Sequence, residues 1–202
     1  MKNIIFAYSL FSTVALHAQD MTAPTLMERI EFKVGYVGNI AWNNGLDIGA
    51  EYLWKENVKI KQKKRGQKTI KHHLLLAGNL AFTNNFSSET DAGAFTTFGL
   101  AWRRTNHKGR QFRIELNPLG YYRSFLPETF EVVDDDVNRI FLPGRNYYAP
   151  SLSFGIGRQR EDKKLSGWYL NLNFMYRMPY NTGLLPALYF QYGYRFNAKK
   201  RK

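Results

Sequence analysis

Three histidines, His72, His73 and His107, are left for chemistry once the first eighteen residues are set aside, and all three lie in or beside lysine- and arginine-rich stretches. A general base needs a nucleophile or acid within hydrogen-bond reach. Neighbouring residues of an extended segment point to opposite faces, so His72 and His73 cannot share one metal ion. No catalytic residue, metal ligand or cofactor-binding residue is expected from this set. Asp134-Asp135-Asp136 has the oxygen ligands that calcium takes. An acidic turn left to solvent is the plainer account of it. The run VKIKQKKRGQKTIK holds Lys61, Lys63, Lys64 and Arg65, which are expected to contact anionic lipid head groups. Such contacts contribute ~1 kcal/mol per cation near a membrane surface, although a run of like charge also serves as a solvated turn.

The elements that position these groups are strands of period two. In LPALYFQYGYRF the even residues Leu188, Phe190, Tyr192, Tyr194 and Phe196 are apolar or aromatic, and the odd ones are small or polar. The pattern recurs about eight times. The first strand spans Ile30 to Val37, with Ile30, Phe32, Val34 and Tyr36 on one face and Glu31, Lys33 and Gly35 on the other. Asn43-Asn44-Gly45 signals a tight turn. The second strand puts Leu46, Ile48, Ala50, Tyr52 and Trp54 outward, and a basic hairpin turns near Arg65-Gly66. The third strand carries Ile70, His72, Leu74, Leu76, Leu80 and Phe82 outward, the fourth Phe98, Leu100 and Trp102. The fifth has Phe112, Ile114, Leu116 and Tyr122 outward against Arg113, Glu115, Asn117 and Arg123. TFEVV and RIFL flank the acidic turn as a protruding hairpin, with outer contact surface over 128–142. The sixth strand has Tyr148, Leu152, Phe154 and Ile156 outward, and the seventh Trp168, Leu170, Leu172, Phe174 and Tyr176.

No segment remains to cover so many apolar faces. A closed sheet in a membrane needs no cover, because lipid meets the outside and the polar residues fill the inside. The expected fold is all-β, an eight-stranded antiparallel transmembrane up-and-down barrel over residues 30–196. Eight strands leave an interior just filled by side chains. The inward charges Asp47, Glu51, Arg103, Arg113, Glu115, Arg123, Arg177 and Arg195 are expected to form a polar network that closes the lumen. Buried charges of this kind must pair or reach water. Pro118, Pro150 and Pro186 sit on the outward face near the outer ends of the fifth, sixth and eighth strands. Proline cannot donate to the ladder. The three would form a lateral seam for lipid, or simply mark strand ends above the bilayer.

The chain of 202 residues begins with Lys2, an apolar stretch from Ile4 to Leu16 and a small residue at Ala18. This is the grammar of a secretory signal peptide over 1–18, followed by an irregular lead over 19–29 and ending in a basic tail over 197–202. There is no cysteine, so an exported domain of this kind draws stability from a source other than disulfides. A net charge of +13 on a soluble protein points to nucleic acid. Export argues instead for anionic lipid or cell-wall polymer. With both termini in the periplasm, the periplasmic ends hold twenty Lys and Arg against Glu56, Glu161 and Asp162, and the opposite ends four Arg against seven acids. Trp54, Trp102, Phe112, Trp168 and Phe196 make one interfacial ring, and Tyr36, Phe82, Tyr122, Tyr148 and Tyr176 the other.

In its leader, alternating strands, outer loops and final strand ending Tyr194-Arg195-Phe196, the chain resembles the small eight-stranded outer-membrane barrels of the OmpA/OmpX type. The resemblance implies an outer-membrane location and recognition of the final strand by the barrel-insertion machinery. The tail NAKKRK after Phe196 departs from that pattern, in which the aromatic often ends the chain. Some barrels of this kind modify lipid with a His and a Ser near the outer leaflet, where this chain has no His. Two functions are therefore expected to compete. One is a non-enzymatic structural or docking component, in contact with outer-membrane lipids and with other outer-membrane or periplasmic proteins. The other is a lipid-handling barrel, transporter or enzyme, that uses the proline seam.

Overall fold

The structure, a computed structural model, describes residues 25–39, 43–63, 66–85, 92–126, 129–133, 136–139, 141, 143–159, 165–180 and 183–197. The leader, residues 198–202 of the basic tail, Lys64, Arg65, Asp134 and Asp135, and the side chains of Lys63 and Asp136, lie outside the described residues. A 3-10 turn, Leu26–Glu28, precedes eleven strands: β1 (Ile30–Gly38), β2 (Asn43–Lys63), β3 (Gly66–Asn85), β4 (Gly93–Asn106), β5 (Arg110–Phe125), β6 (Phe130–Val133), β7 (Asp136–Arg139), β8 (Gly144–Tyr148), β9 (Ser151–Gln159), β10 (Leu165–Tyr180) and β11 (Gly183–Asn197).

Every pairing in the main sheet is antiparallel, and the sheet closes on itself because β11 pairs with β1 from Glu31↔Asn197 to Gly38↔Phe190. The sheet contains nine strands. The expected sixth strand is two strands, β8 and β9, which follow one another along a single wall between β5 and β10. The break falls at Ala149-Pro150, where proline has no N–H to carry the ladder through. β6 and β7 form the hairpin, with Val133 opposite Asp136, so the returning arm begins at Asp136, ahead of the expected RIFL, of which Ile140 and Leu142 lie outside the described residues.

Asn43-Asn44-Gly45 is not the turn that its composition predicts. It is the start of β2, paired with β1 through Gly38↔Asn44 and with β3 through Gly45↔Thr83. The glycine serves a different need there, since a Cβ at Gly45 would collide with the Phe82 carbonyl of β3.

Two bulges rephase their strands. On β2, Leu53 faces Leu75 and Lys55 faces Leu74, so Trp54 is an extra residue. On β5, Leu116 faces Leu100 and Leu119 faces Phe98, so Asn117 and Pro118 span one residue of β4. Beyond this second bulge Tyr122 turns inward and is buried, whereas Tyr121 is exposed. This corrects the expected outer aromatic ring at Tyr122. A proline in mid-strand is tolerated at such an irregularity, where the ladder is already broken.

The two faces of the ring are opposite in character. Leu46 is 70% exposed on the outside, and Arg113 is 2% exposed on the inside. Val34, Ile48, Leu80, Phe98, Leu100, Leu116 and Ile156 are exposed as well. Along β4 the alternation of buried and exposed residues is unbroken from Phe95 to Thr105.

Candidate functional site

The alternation within each strand delivers the inward residues to one shared interior, and glycines make room there for long side chains. Gly35 of β1 lies opposite Gly193 of β11, and the Tyr169 hydroxyl occupies the space that a Cβ on either would need. Tyr169 donates a hydrogen bond of 3.1 Å to Asp47 across the ring. Lys33 and the Arg195 guanidinium lie 5.6 and 4.8 Å from the Tyr169 ring centre.

Glu51 is the hub of the charges. Its carboxylate is 2.7 Å from Arg113 Nη1, 3.1 Å from Lys33 Nζ, 3.2 Å from Arg103 Nη1 and 3.5 Å from Arg195 Nε. Arg103 also reaches Glu31 at 2.6 Å, and Arg113 donates through Nε to Glu115 at 2.9 Å. Asn79 donates to Thr97 and to Glu115 at 3.0 and 3.3 Å. Arg195 donates to Gln111, which in turn donates to Gln159, both at 2.8 Å. Lys33, Arg103, Arg113 and Arg195 thus balance Glu31, Asp47, Glu51 and Glu115, and all eight are buried. Charge withdrawn from water is tolerable only when paired and hydrogen-bonded in this way.

Seven of the eight predicted network residues point to the interior, and five of them, Glu51, Arg103, Arg113, Glu115 and Arg195, form this cluster with Asp47 joined through Tyr169. Arg177 lies apart, 3.7 Å above the Tyr122 ring. Arg123 is on the outward phase after the β5 bulge, where it donates to Asn146 at 3.4 Å. Glu31 and Lys33, absent from the predicted network, belong to it. The period of β1 already placed both on the inward face.

Buried amides and hydroxyls, among them Asn117, Ser151, Ser153, Asn171, Asn173 and Gln191, continue the small-or-polar inward faces, and beside them part of the interior is apolar and aromatic, which those faces did not foresee. Phe95, Tyr122, Tyr147, Met175 and Tyr189 form a buried cluster around Arg177. Leu75, Ala77 and Ala101 form a smaller one. Only a crevice too narrow for a water molecule remains between Glu31, Arg103, Gln111, Gln159, Gly167 and Arg195.

Of the other predicted site residues, Lys61 is exposed on β2 beyond Trp54. Pro118, Pro150 and Pro186 fall in one register row. Asn117 pairs with Ser151, Ser151 with Met175 and Met175 with Ala187, and the adjacent row is Pro118, Pro150, Tyr176 and Pro186. Tyr176 donates its N–H to the Pro150 carbonyl at 3.0 Å. Pro150 has no N–H to return. Among the histidines, His73 is buried and lies 3.3 Å from Glu56, and His72 faces outward and stacks on Trp102 at 5.7 Å. Among the described residues no group of three or more His, Cys, Asp or Glu is placed to hold a metal ion. His72 has its pKa held below the ordinary imidazole value, first by desolvation and then by Lys59, Arg104 and Lys61. No family model, no curated protein and no solved structure matches the chain.

Proposed function

We propose that the chain is an exported eight-walled β-barrel of a bacterial outer membrane, a non-enzymatic structural or docking component without a large pore. The observation that carries this reading is the inversion of the globular pattern. The outside of the closed sheet is lined with exposed Leu, Ile, Phe and Trp, and the inside holds eight balanced charges. In water such an exterior would expose far more contiguous apolar surface than a monomer ordinarily does. In hydrocarbon it is at home, and ring closure satisfies the backbone. The N-terminal leader supports export. The excess of Lys and Arg at the end bearing both termini supports a periplasmic assignment for that end.

The interior supports a closed barrel. The charge cluster and the aromatic cluster occupy it in succession, and the gap beside Arg195 is too narrow to take a water molecule. Protein refolded into detergent should show strand-dominated circular dichroism and a gel mobility that changes on boiling. Well-folded material that is monomeric in buffer without detergent would reject the proposal.

The single proline row favours a second reading, a lipid-handling barrel with a lateral opening along Pro118, Pro150 and Pro186. Alanine at all three restores the missing N–H donors. Under the second reading this variant loses lipid that co-purifies with the wild type. Under the first it retains the same lipid complement.

A further inference from the structure

The Trp54 bulge decides which way the basic hairpin presents its charge. Before the bulge, Leu46, Ile48, Ala50 and Tyr52 face outward. An unbroken strand would continue this face with Glu56, Val58 and Ile60. The extra residue shifts the phase, so that Lys55 sits opposite Leu74, Asn57 opposite His72, Lys59 opposite Ile70 and Lys61 opposite Lys68. Leu74 and His72 are on the outward face, since they pair with Trp102 and Arg104. Lys55, Lys59, Lys61 and Lys68 are therefore outward too, directly past the apolar belt.

The neighbouring walls repeat the arrangement. Arg104 follows outward Trp102 on β4, Arg110 precedes outward Phe112 on β5, and Arg158 follows outward Ile156 on β9. Arg110 and Arg158 are register partners, and Arg158 faces Trp168. Cations thus extend the apolar face on β2, β3, β4, β5 and β9, five adjacent walls. The acids of these walls lie on the other side. Asp47, Glu51 and Glu115 are buried inside, and Glu56 pairs with inward His73. Among the described strand residues at this end no acid faces outward, and among the described residues the collar cations have no ion-pair partner. The pKa of His72 is lowered first by desolvation, and Lys59, Arg104 and Lys61 lower it further.

We infer that this collar, Lys55, Lys59, Lys61, Arg104, Arg110 and Arg158 with Lys68, is a binding surface for the head groups of anionic phospholipid in the leaflet nearest the chain termini. The inference rests on the membrane-barrel reading and gives it a lipid partner. Charge and position argue for this occupant together. Aromatic interfacial side chains stand at the edge of the belt, and the cations begin at the next outward position. A head-group phosphate is found at that depth. Lys63, Lys64 and Arg65, at the hairpin tip, are not needed for it.

The test uses the refolded full chain in vesicles of phosphatidylcholine with a varied fraction of phosphatidylglycerol, either lipid carrying brominated acyl chains that quench tryptophan. Failure to insert, seen as an absence of quenching by any brominated lipid, rejects the barrel reading and the collar with it. In inserted protein, brominated phosphatidylglycerol is expected to quench at least threefold more effectively than brominated phosphatidylcholine at low salt, each cation in full contact contributing up to about fivefold. The preference should fall toward unity at high salt as the charges are screened. Lys55→Gln, Lys59→Gln, Arg104→Gln and Arg158→Gln together should abolish it. Lys59→Gln with Arg104→Gln should lower it, and Arg139→Gln with Arg145→Gln, which remove the same charge elsewhere, should not. Inserted wild type without a salt-sensitive preference overturns the inference, whatever the variants do. So does equal loss from the two double variants.

Discussion

Glu51 lies within 3.5 Å of four cations that differ in what else they can reach. Arg103 has Glu31, and Arg113 has Glu115. Lys33 and Arg195 have no second acid in salt-bridge contact among the described residues. Glu51→Gln thus leaves two buried cations without a carboxylate in salt-bridge contact, and removing one partner of a buried pair costs about 3–5 kcal/mol. Glu115→Gln leaves Arg113 on Glu51 and should cost clearly less. Urea titration of the protein refolded in vesicles measures both, and equal losses would show that Glu51 is not the hub. His72 gives a second prediction at this scale. Its folded pKa lies below the unfolded value, so the unfolded chain takes up the proton first. Its contribution to stability is whole above the unfolded pKa and declines as pH falls through that value toward the folded one. Salt and Lys59→Gln should each raise the His72 pKa toward the ordinary value, as read by NMR titration of the imidazole, because desolvation would then act with less help from neighbouring cations.

At the scale of the element, the bulges do what no residue does alone. A period of two admits only two phases, and one inserted residue exchanges them. On β5 the exchange brings Tyr122 inside, under the Arg177 guanidinium. On β2 it turns a lysine comb outward and sends Val58 and Ile60 to the opposite face. Deleting Trp54 should reverse that. A spin label at Lys59→Cys is expected to be relaxed more strongly by a nickel-chelating lipid head group than one at Ile60→Cys, and the deletion should invert the order. An unchanged order after deletion would mean that the hairpin is phased by its own turn.

At the scale of the whole molecule, closure by β11 on β1 removes both sheet edges along the length of that pairing, which is why the ring tolerates an apolar exterior without an aggregating rim there. Closure also fixes the size of the interior. With the charged and aromatic clusters both inside, no stable, porin-sized conductance step is expected from pure protein in planar bilayers. Reproducible large steps would show that the clusters open.

The all-β class, the order and approximate limits of the long strands, and the inward phase of Glu51, Arg103, Arg113 and Arg195 were legible in the sequence. Each follows from local alternation and from chain order, which residue types alone record. The hairpin at Lys63↔Gly66 was legible for the same reason. Three things were decided only by the tertiary structure. Asn43-Asn44-Gly45 is strand and not turn because the close approach of Phe82, from a segment nearly forty residues away, requires the glycine. The sixth strand is split at Ala149-Pro150 and the fifth is bulged at Asn117-Pro118 against β4, and a ladder between partners cannot be read from either strand alone. The interior network gained Glu31 and Lys33 and lost Arg123 because a pairing of charges depends on which strands the closed ring sets face to face, and on every bulge between them.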